Sequence, residues 1–181
     1  MTIADGTAVK TPGDIVFPYI QKNLDDIITV EDEELIVNFL DVVENHKMVV
    51  ENSGLLTVAA LKHLNCKDKR VVSILSGGNM DIITMSSVVQ HGLIERGRVF
   101  TVSVQLPDRP GELVNVANVI AQLKGNVIRL EHNQFVSINR NAAVELKITL
   151  EAFGHEHKQQ IVDALKEKGY DPKLENPTSL Y

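Results

Sequence analysis

The sequence predicts an α/β protein built of two units. Three observations carry this. Two runs in the second half alternate strictly between apolar and polar residues, the mark of half-buried strands. In the first half, an apolar β-branched run is followed directly by paired glycines and then by a helical pattern. Charge is also unevenly placed. Residues 1–97 hold 8 basic and 14 acidic side chains, whereas residues 98–181 hold 10 of each, so the net charge of −6 lies wholly in the first part. A shift of this kind suggests separate units, with the seam at Gly92 to Arg98.

In the second half, Phe100, Val102, Val104 and Leu106 are apolar while Thr101, Ser103 and Gln105 are polar, a strand with one buried face. Pro107-Asp108-Arg109-Pro110-Gly111 breaks it. Leu113, Val116, Ala117, Ile120 and Leu123 recur at helical spacing up to Gly125. Val127 to Leu130 predicts a second strand, with Ile128 and Leu130 on one side and Arg129 and Glu131 on the other. A third strand alternates Val144, Leu146, Ile148 and Leu150 with Glu145, Lys147, Thr149 and Glu151. A helix from about His155 to Lys168 and a short strand from Tyr170 complete the order β-α-β-β-α-β, the ferredoxin-like split unit. Helices on one face leave the other face open, which predicts pairing with a second copy.

In the first half, Thr29-Val30-Glu31-Asp32 reads as a helix start, with Leu35, Ile36, Phe39, Leu40 and Val43 as its buried stripe. Met48 to Val50 is a short strand candidate. Ser53 stands where it can cap a helix carrying Leu56, Ala59, Ala60, Leu61 and Leu64. Val71 to Leu75 reads as a strand, Ser76-Gly77-Gly78-Asn79 as the turn behind it, and Met80 to Gln90 as a helix closed by Gly92. In α/β folds ligands gather beyond the carboxyl ends of strands.

Composition narrows the function classes. Hydrophobic residues make up 44% and charged residues 23%, values typical of a chain with a packed core. The acidic balance argues against nucleic acid as a partner. One cysteine, Cys66, leaves no intramolecular disulfide. No apolar run approaches the roughly 20 residues of a membrane helix, and Met1 to Lys10 lacks a signal-peptide pattern. The expectation is a cytoplasmic protein with no membrane partner. His155 and His157 flank Glu156 without sharing a helix face, so no metal site is expected.

Two resemblances go further than these patterns. Val102 to Leu113, with Asp108-Arg109-Pro110-Gly111-Glu112-Leu113 after the first strand, resembles an ACT domain, a ligand-sensing module that usually binds amino acids. The resemblance implies an effector pocket at the interface of a module pair, lined by Asp108, Pro110, Gly111, Glu112, Leu113 and Asn126. A helix start offers free N–H groups to a carboxylate, although Pro110-Gly111 serves equally well merely to make the turn.

Val71-Val72-Ser73-Ile74-Leu75-Ser76-Gly77-Gly78-Asn79-Met80-Asp81 resembles the last part of the catalytic domain of threonine dehydratases (threonine ammonia-lyases), which are fold-type II pyridoxal phosphate enzymes. Thr2 to Lys10 and Glu51-Asn52-Ser53-Gly54 resemble two further segments of that family, in the same order. Leu55 stands where family members usually carry a small residue. The resemblance implies a partial fold-type II catalytic domain, three-layer α/β, over 1–92, and a ferredoxin-like ACT regulatory domain over 98–175. It implies conversion of L-threonine to 2-oxobutanoate and ammonia, with L-serine as a possible second substrate. Ser76, Gly77 and Gly78 would be cofactor-binding, the Ser76 hydroxyl meeting the pyridine nitrogen. Asp5 and Glu51 would lie on the substrate side.

In the family the lysine that holds the cofactor and the glycine-rich phosphate loop lie far upstream. Lys10, Lys22, Lys47 and Lys62 sit in no matching motif here, and no run of four glycines occurs. The resemblance thus implies a C-terminal portion, inactive alone, whose partners are a missing N-terminal catalytic portion, a second copy through the ACT domain, and an amino-acid effector. A freestanding amino-acid-sensing protein without catalysis remains the alternative, and serine racemase and other fold-type II lyases are further candidates for the parent.

Overall fold

The computed structural model describes residues 2–134, 144–175 and 177, and the chain divides into two compact units, Met1–Gly92 and Leu93–Tyr181.

The first unit is a helical cluster joined by long irregular segments. A 3-10 turn at Asp5–Thr7 precedes α1 (Phe17–Asn23), which starts with Pro18 in its first turn, where a missing N–H costs nothing. Next comes α2 (Asp32–Asp41), capped by Glu31 rather than Thr29. Its cap is a reciprocal box: the Glu31 side chain accepts from the Glu34 backbone while Glu34 Oε2 accepts the Glu31 N–H at 3.0 Å. Leu35, Phe39 and Leu40 face inward from it, and Val42–His46 continues as a π-type turn. The helix expected behind Ser53 is broken into a 3-10 turn (Asn52–Leu55), a single α turn α3 (Leu56–Ala59) and another 3-10 turn (Ala60–His63), and Ser53 caps nothing. Leu35, Phe39, Leu55, Ala59 and Val88 make the core, with Leu75 and Met80 packed against it.

Three expectations for this unit need correcting. Met48 to Val50 and Val71 to Leu75 form no strand. A strand exists only when a neighbour takes up its backbone N–H and C=O groups, and no described segment pairs with either run. Gly92 does not close its helix, because α4 runs from Ile82 to Glu95 straight through it. A Cβ on Gly92 would stand 2.6 Å from Leu40 Cδ1, so the glycine lets α4 lie close against α2. The helix ends instead with the Gly97 N–H on Ile94 O and the Arg98 N–H on Leu93 O, a Schellman arrangement.

The second unit runs β1 (Val99–Leu106), α5 (Glu112–Gln122), β2 (Asn126–Asn133), β3 (Val144–Glu151), α6 (His155–Glu167) and β4 (Lys173–Glu175). These strands form one antiparallel sheet in the order β2-β3-β1-β4. Phe100, Val102, Val104 and Leu106 of β1 and Val144, Leu146, Ile148 and Leu150 of β3 meet Val116, Ile120, Ile161 and Leu165 of the two helices in a single core. Polar residues on the opposite face satisfy one another. Thr101 and Thr149 share a hydrogen bond of 2.9 Å, the Ser103 hydroxyl donates to Glu145, and Lys147 pairs with Glu175 at 3.1 Å. That last contact raises the Lys147 pKa above its ordinary value.

Ile128 and Leu130, expected to share one side of the strand, are 43% and 41% exposed. A register shift between Val127 and Arg129 interrupts the alternation, and β2 is an edge strand of the sheet. The last strand begins at Lys173 instead of Tyr170, which packs against the core.

Candidate functional site

Three short segments from distant parts of the first unit meet at one place. The first is Thr2 to Gly6. Ile3 is held from both ends, its N–H on Asp32 Oδ2 at 3.1 Å and its carbonyl accepting from Asn52 Nδ2 at 3.1 Å. Asn52 is buried, so this hydrogen bond forms away from competing water. Asp5 is exposed, and its Oδ1 accepts the Gly6 N–H at 2.8 Å, so the carboxylate folds back over its own turn.

Glu51 to Gly54 is the second segment and Ser76 to Asn79 the third, and Glu51 binds them together. Its backbone N–H donates to Gly77 O at 3.2 Å, and its Oε2 accepts the Asn79 N–H at 3.3 Å. Gly77 has φ +76°, and a Cβ there would lie 2.3 Å from Glu51 Cδ. Only glycine both adopts that conformation readily and leaves the space the carboxylate occupies. Gly6 approaches from the other side, where a Cβ would stand 3.0 Å from Ser53 Oγ and 3.7 Å from Glu51 Oε1.

Gly54 makes the closest approach. A Cβ on it would fall 1.6 Å from the Ser76 carbonyl oxygen. Leu55 next to it is fully buried in the core. The Ser76 hydroxyl is exposed and has no hydrogen-bond partner among the described residues. Gly78 has only Val49 O nearby, 3.7 Å from where a Cβ would be. Ser53 Oγ and Asn52 Oδ1 are buried and unpartnered among the described residues. The arrangement thus offers a free hydroxyl at Ser76, an open edge at Gly78 and a carboxylate fixed against Gly77. A flat heteroaromatic ring with an acceptor nitrogen fits such an edge.

The structure brings Glu51 and Gly77 into contact, with Ser76 and Gly78 on either side of Gly77 in the same turn. The Asp5 carboxylate is engaged within its own turn. Asn52 and Gly54 escape sequence reasoning as site residues. Both stand in the Glu51-Asn52-Ser53-Gly54 string, but a helix-start reading makes Gly54 merely permissive, when in fact another backbone lies against it.

The first 77 residues match the model of the pyridoxal-phosphate dependent enzyme family. The L-threonine ammonia-lyase of Geobacter sulfurreducens is 37% identical over 172 residues, covering 94% of this chain and 43% of that protein. The chain is a relative of the threonine ammonia-lyases. The Thermotoga maritima enzyme of the same name is 33% identical over 174 residues, again with 43% of its length covered. A biosynthetic L-threonine dehydratase of Pasteurella multocida is 29% identical over 172 residues, 32% of its length. This chain therefore spans less than half the length of the relatives it matches. Among solved structures, a prephenate dehydratase from Streptococcus mutans overlaps 42% of this chain and 40% of its own with a TM-score of 0.37 and 18% identity, too slight a likeness to argue from.

In the second unit, Asp108, Pro110 and Gly111 are exposed on the turn after β1, and Gly111, φ +95°, is the N-cap position of α5. Glu112 is half-buried and accepts from the Tyr170 hydroxyl at 3.3 Å; burial, then the Glu112 charge, raises the Tyr170 pKa. Asn126 does not join this turn within the module. It pairs in register with Glu151, which pairs with Val99, whereas the turn follows Leu106 at the other end of β1. Seven residues of strand separate the two rows, about 23 Å at ~3.3 Å per residue. The Asn126 side chain donates to Glu151 Oε2 at 3.2 Å.

Among the described residues no group of three His, Cys, Asp or Glu side chains is placed to hold a metal, and no helix is long and apolar enough to cross a membrane. The ring nitrogens of His155 and His157 lie on the carbonyls of Glu95 and Leu123, at 2.8 and 2.7 Å.

Proposed function

We propose that this chain is the C-terminal part of a pyridoxal phosphate-dependent threonine ammonia-lyase, which converts L-threonine to 2-oxobutanoate and ammonia, and that it carries a regulatory ACT module of ferredoxin-like fold over 98–175. The observation behind the catalytic half is the meeting of the Thr2–Gly6, Glu51–Gly54 and Ser76–Asn79 segments, with Glu51 and the Ser76 backbone at the contact. Relatives matching across both units favour this reading over a freestanding sensor.

When bound, the cofactor supplies an electron sink for the substrate α-carbon. This chain's part is to hold its ring edge. Ser76 Oγ would hydrogen-bond the pyridine nitrogen, Gly78 would let the ring lie close, and Gly77 would let Glu51 hold the turn. A hydroxyl, unlike a carboxylate, does not hold that nitrogen protonated, which favours loss of the β-hydroxyl over transamination. Glu51 keeps Ser76 in place by fixing the turn that follows it. In the complete enzyme, Ser76→Ala should lower kcat at least tenfold while the cofactor stays attached, read by 2-oxobutanoate release and by the cofactor's visible absorbance. Unchanged kinetics together with an unchanged spectrum would remove Ser76 from the site.

For the regulatory half, the β-α-β-β-α-β order and the sheet order β2-β3-β1-β4 support the module assignment. The eight-residue edge strand β2, with Val127, Ile128 and Leu130 exposed, offers unpaired backbone to a second copy. Pairing would let Asn126 of one copy reach the Asp108–Leu113 turn of the other. An amino acid held there regulates only by favouring one arrangement of the pair over another.

A further inference from the structure

The turn Ala4-Asp5-Gly6-Thr7 joins a clamped segment to an open one. Ala4 is buried, and Ile3 before it is held by Asp32 on one side and Asn52 on the other. Asp5 and Gly6 are exposed. The Gly6 N–H has no backbone acceptor among the described residues and donates instead to Asp5 Oδ1 at 2.8 Å. The Asp5 carboxyl group therefore lies against the nitrogen of the next residue.

Asp5 is the one aspartate in the sequence that precedes a glycine, and no asparagine precedes one. Asp26 provides an internal comparison. It is exposed too, and its Oδ1 accepts the Ile27 N–H at 2.7 Å. The two aspartates share a contact and differ in access. Ile27 is β-branched, and the substituents on its Cβ crowd the nitrogen. Gly6 has no Cβ, and its backbone turns freely.

We infer that Asp5-Gly6 is a site of spontaneous isoaspartate formation in the folded chain. The Gly6 nitrogen attacks Cγ of the protonated Asp5 carboxyl group. An N–Cγ bond forms, and the carboxyl OH leaves with the amide proton as water, closing a five-membered succinimide. Water then adds at one of the two ring carbonyls. Breaking the N–Cγ bond restores aspartate. Breaking the bond from nitrogen to the original main-chain carbonyl carbon yields isoaspartate, whose main chain runs through Cβ and Cγ. Water is the only other reactant, and the net mass is unchanged. The inference does not depend on the proposed function.

The product adds a methylene to the main chain just before Gly6. It also leaves a carboxylate where Asp5 O accepts the Ala8 N–H at 3.1 Å. Space on this side is short, since a Cβ on Gly6 would stand 3.0 Å from Ser53 Oγ and 3.7 Å from Glu51 Oε1. Isoaspartate therefore displaces Gly6 and loosens the meeting of the three segments.

The test incubates the chain warm in mildly acidic buffer and follows it over weeks. Trypsin separates the two aspartates into the peptides Met1–Lys10 and Asn23–Lys47. Met1–Lys10 should give a species lighter by one water and then a second peak of unchanged mass. Electron-transfer fragmentation identifies that peak, because it cleaves the Cα–Cβ bond now in the main chain. It should form at least ~10-fold faster than any such product from Asn23–Lys47. Asp5→Glu, which cannot close a five-membered ring, and Gly6→Ala should each suppress it. As it accumulates, the amide signals of Glu51 and Ser53 should split into two sets. A free peptide of residues 1–10 serves as the reference. If that peptide isomerises while the folded chain does not, the fold protects the turn and the inference fails. Equal rates in the two tryptic peptides, or the same product from Asp5→Glu, would overturn it as well.

Discussion

Replacing Gly54 with alanine should disturb the site and the first unit together. The added Cβ would stand 1.6 Å from Ser76 O, 2.8 Å from Ser76 C and 2.8 Å from Val50 Cγ1. An ordinary carbon–oxygen contact is about 3.3 Å, so one backbone must retreat by roughly 1.7 Å. The obstacle is main chain, which cannot swing aside as a long side chain does. Gly54 is buried between Ser53, whose Oγ is already unpartnered, and Leu55, which anchors the core. The cost falls in the range of about 1–3 kcal/mol for overpacking. That lowers the melting temperature of a unit this size by roughly 4–8 °C for each kcal/mol. Thermal and urea unfolding of the chain measures the loss, and amide chemical shifts of Ser76, Gly77 and Asn79 report the displaced turn. An unchanged midpoint with unmoved amide signals would show that Gly54 and Ser76 are not in contact, and the convergence of segments behind the proposed function would lose its closest link.

Two further outcomes follow from the structure. Hydrogen bonds from Lys62 first, then His63 and the Glu31 backbone, lower the Glu34 pKa from its ordinary 4.5 to about 2. A depressed carboxylate stabilises the fold above its unfolded-state pKa, and that contribution fades as pH falls toward 2. Wild type should therefore exceed Glu34→Gln in stability at about pH 5 and converge on it between ~4.5 and 2; parallel acid-unfolding curves across that window would refute the pairing. Gly111→Val puts a β-branched residue at φ +95° with open space around its Cβ, so its cost is backbone strain alone, about 1–3 kcal/mol, read by thermal unfolding. Calorimetric titration with amino acids on the same variant checks the effector turn, and binding that survives unchanged places the effector site elsewhere.

The second unit was legible because its burial is self-contained. Val102, Val104 and Leu106 alternate with polar residues because helices of the same unit cover one face of β1, and β3 repeats the pattern in register with it. Legibility declines at β2. It lies at the edge, its residues are largely exposed, and one register shift between Val127 and Arg129 resets the phase of the alternation. Asn126 shows a different limit. Its distance along the chain from Asp108 says nothing about which end of the sheet it occupies, and only the pairing register does so.

In the first unit, periodicity misleads wherever a residue answers to something other than its own element. Gly92 looks like a helix stop because glycine ends helices, yet it serves a close contact with Leu40 that no local pattern records. Ser53-Gly54 looks like a helix start, yet the turn there is bent by the approach of the Ser76 backbone. Val71–Leu75 has the composition of a strand and no sheet to join among the described residues. The resemblance to a known family reached further, since Thr2–Gly6, Glu51–Gly54 and Ser76–Asn79 are separated in sequence and adjacent in space. Glu51 shows the physical reason. One carboxylate occupies the volume that a side chain at residue 77 would need and accepts the N–H of residue 79. The acid and the glycine therefore constrain each other across 26 residues of chain, and neither can be read correctly alone.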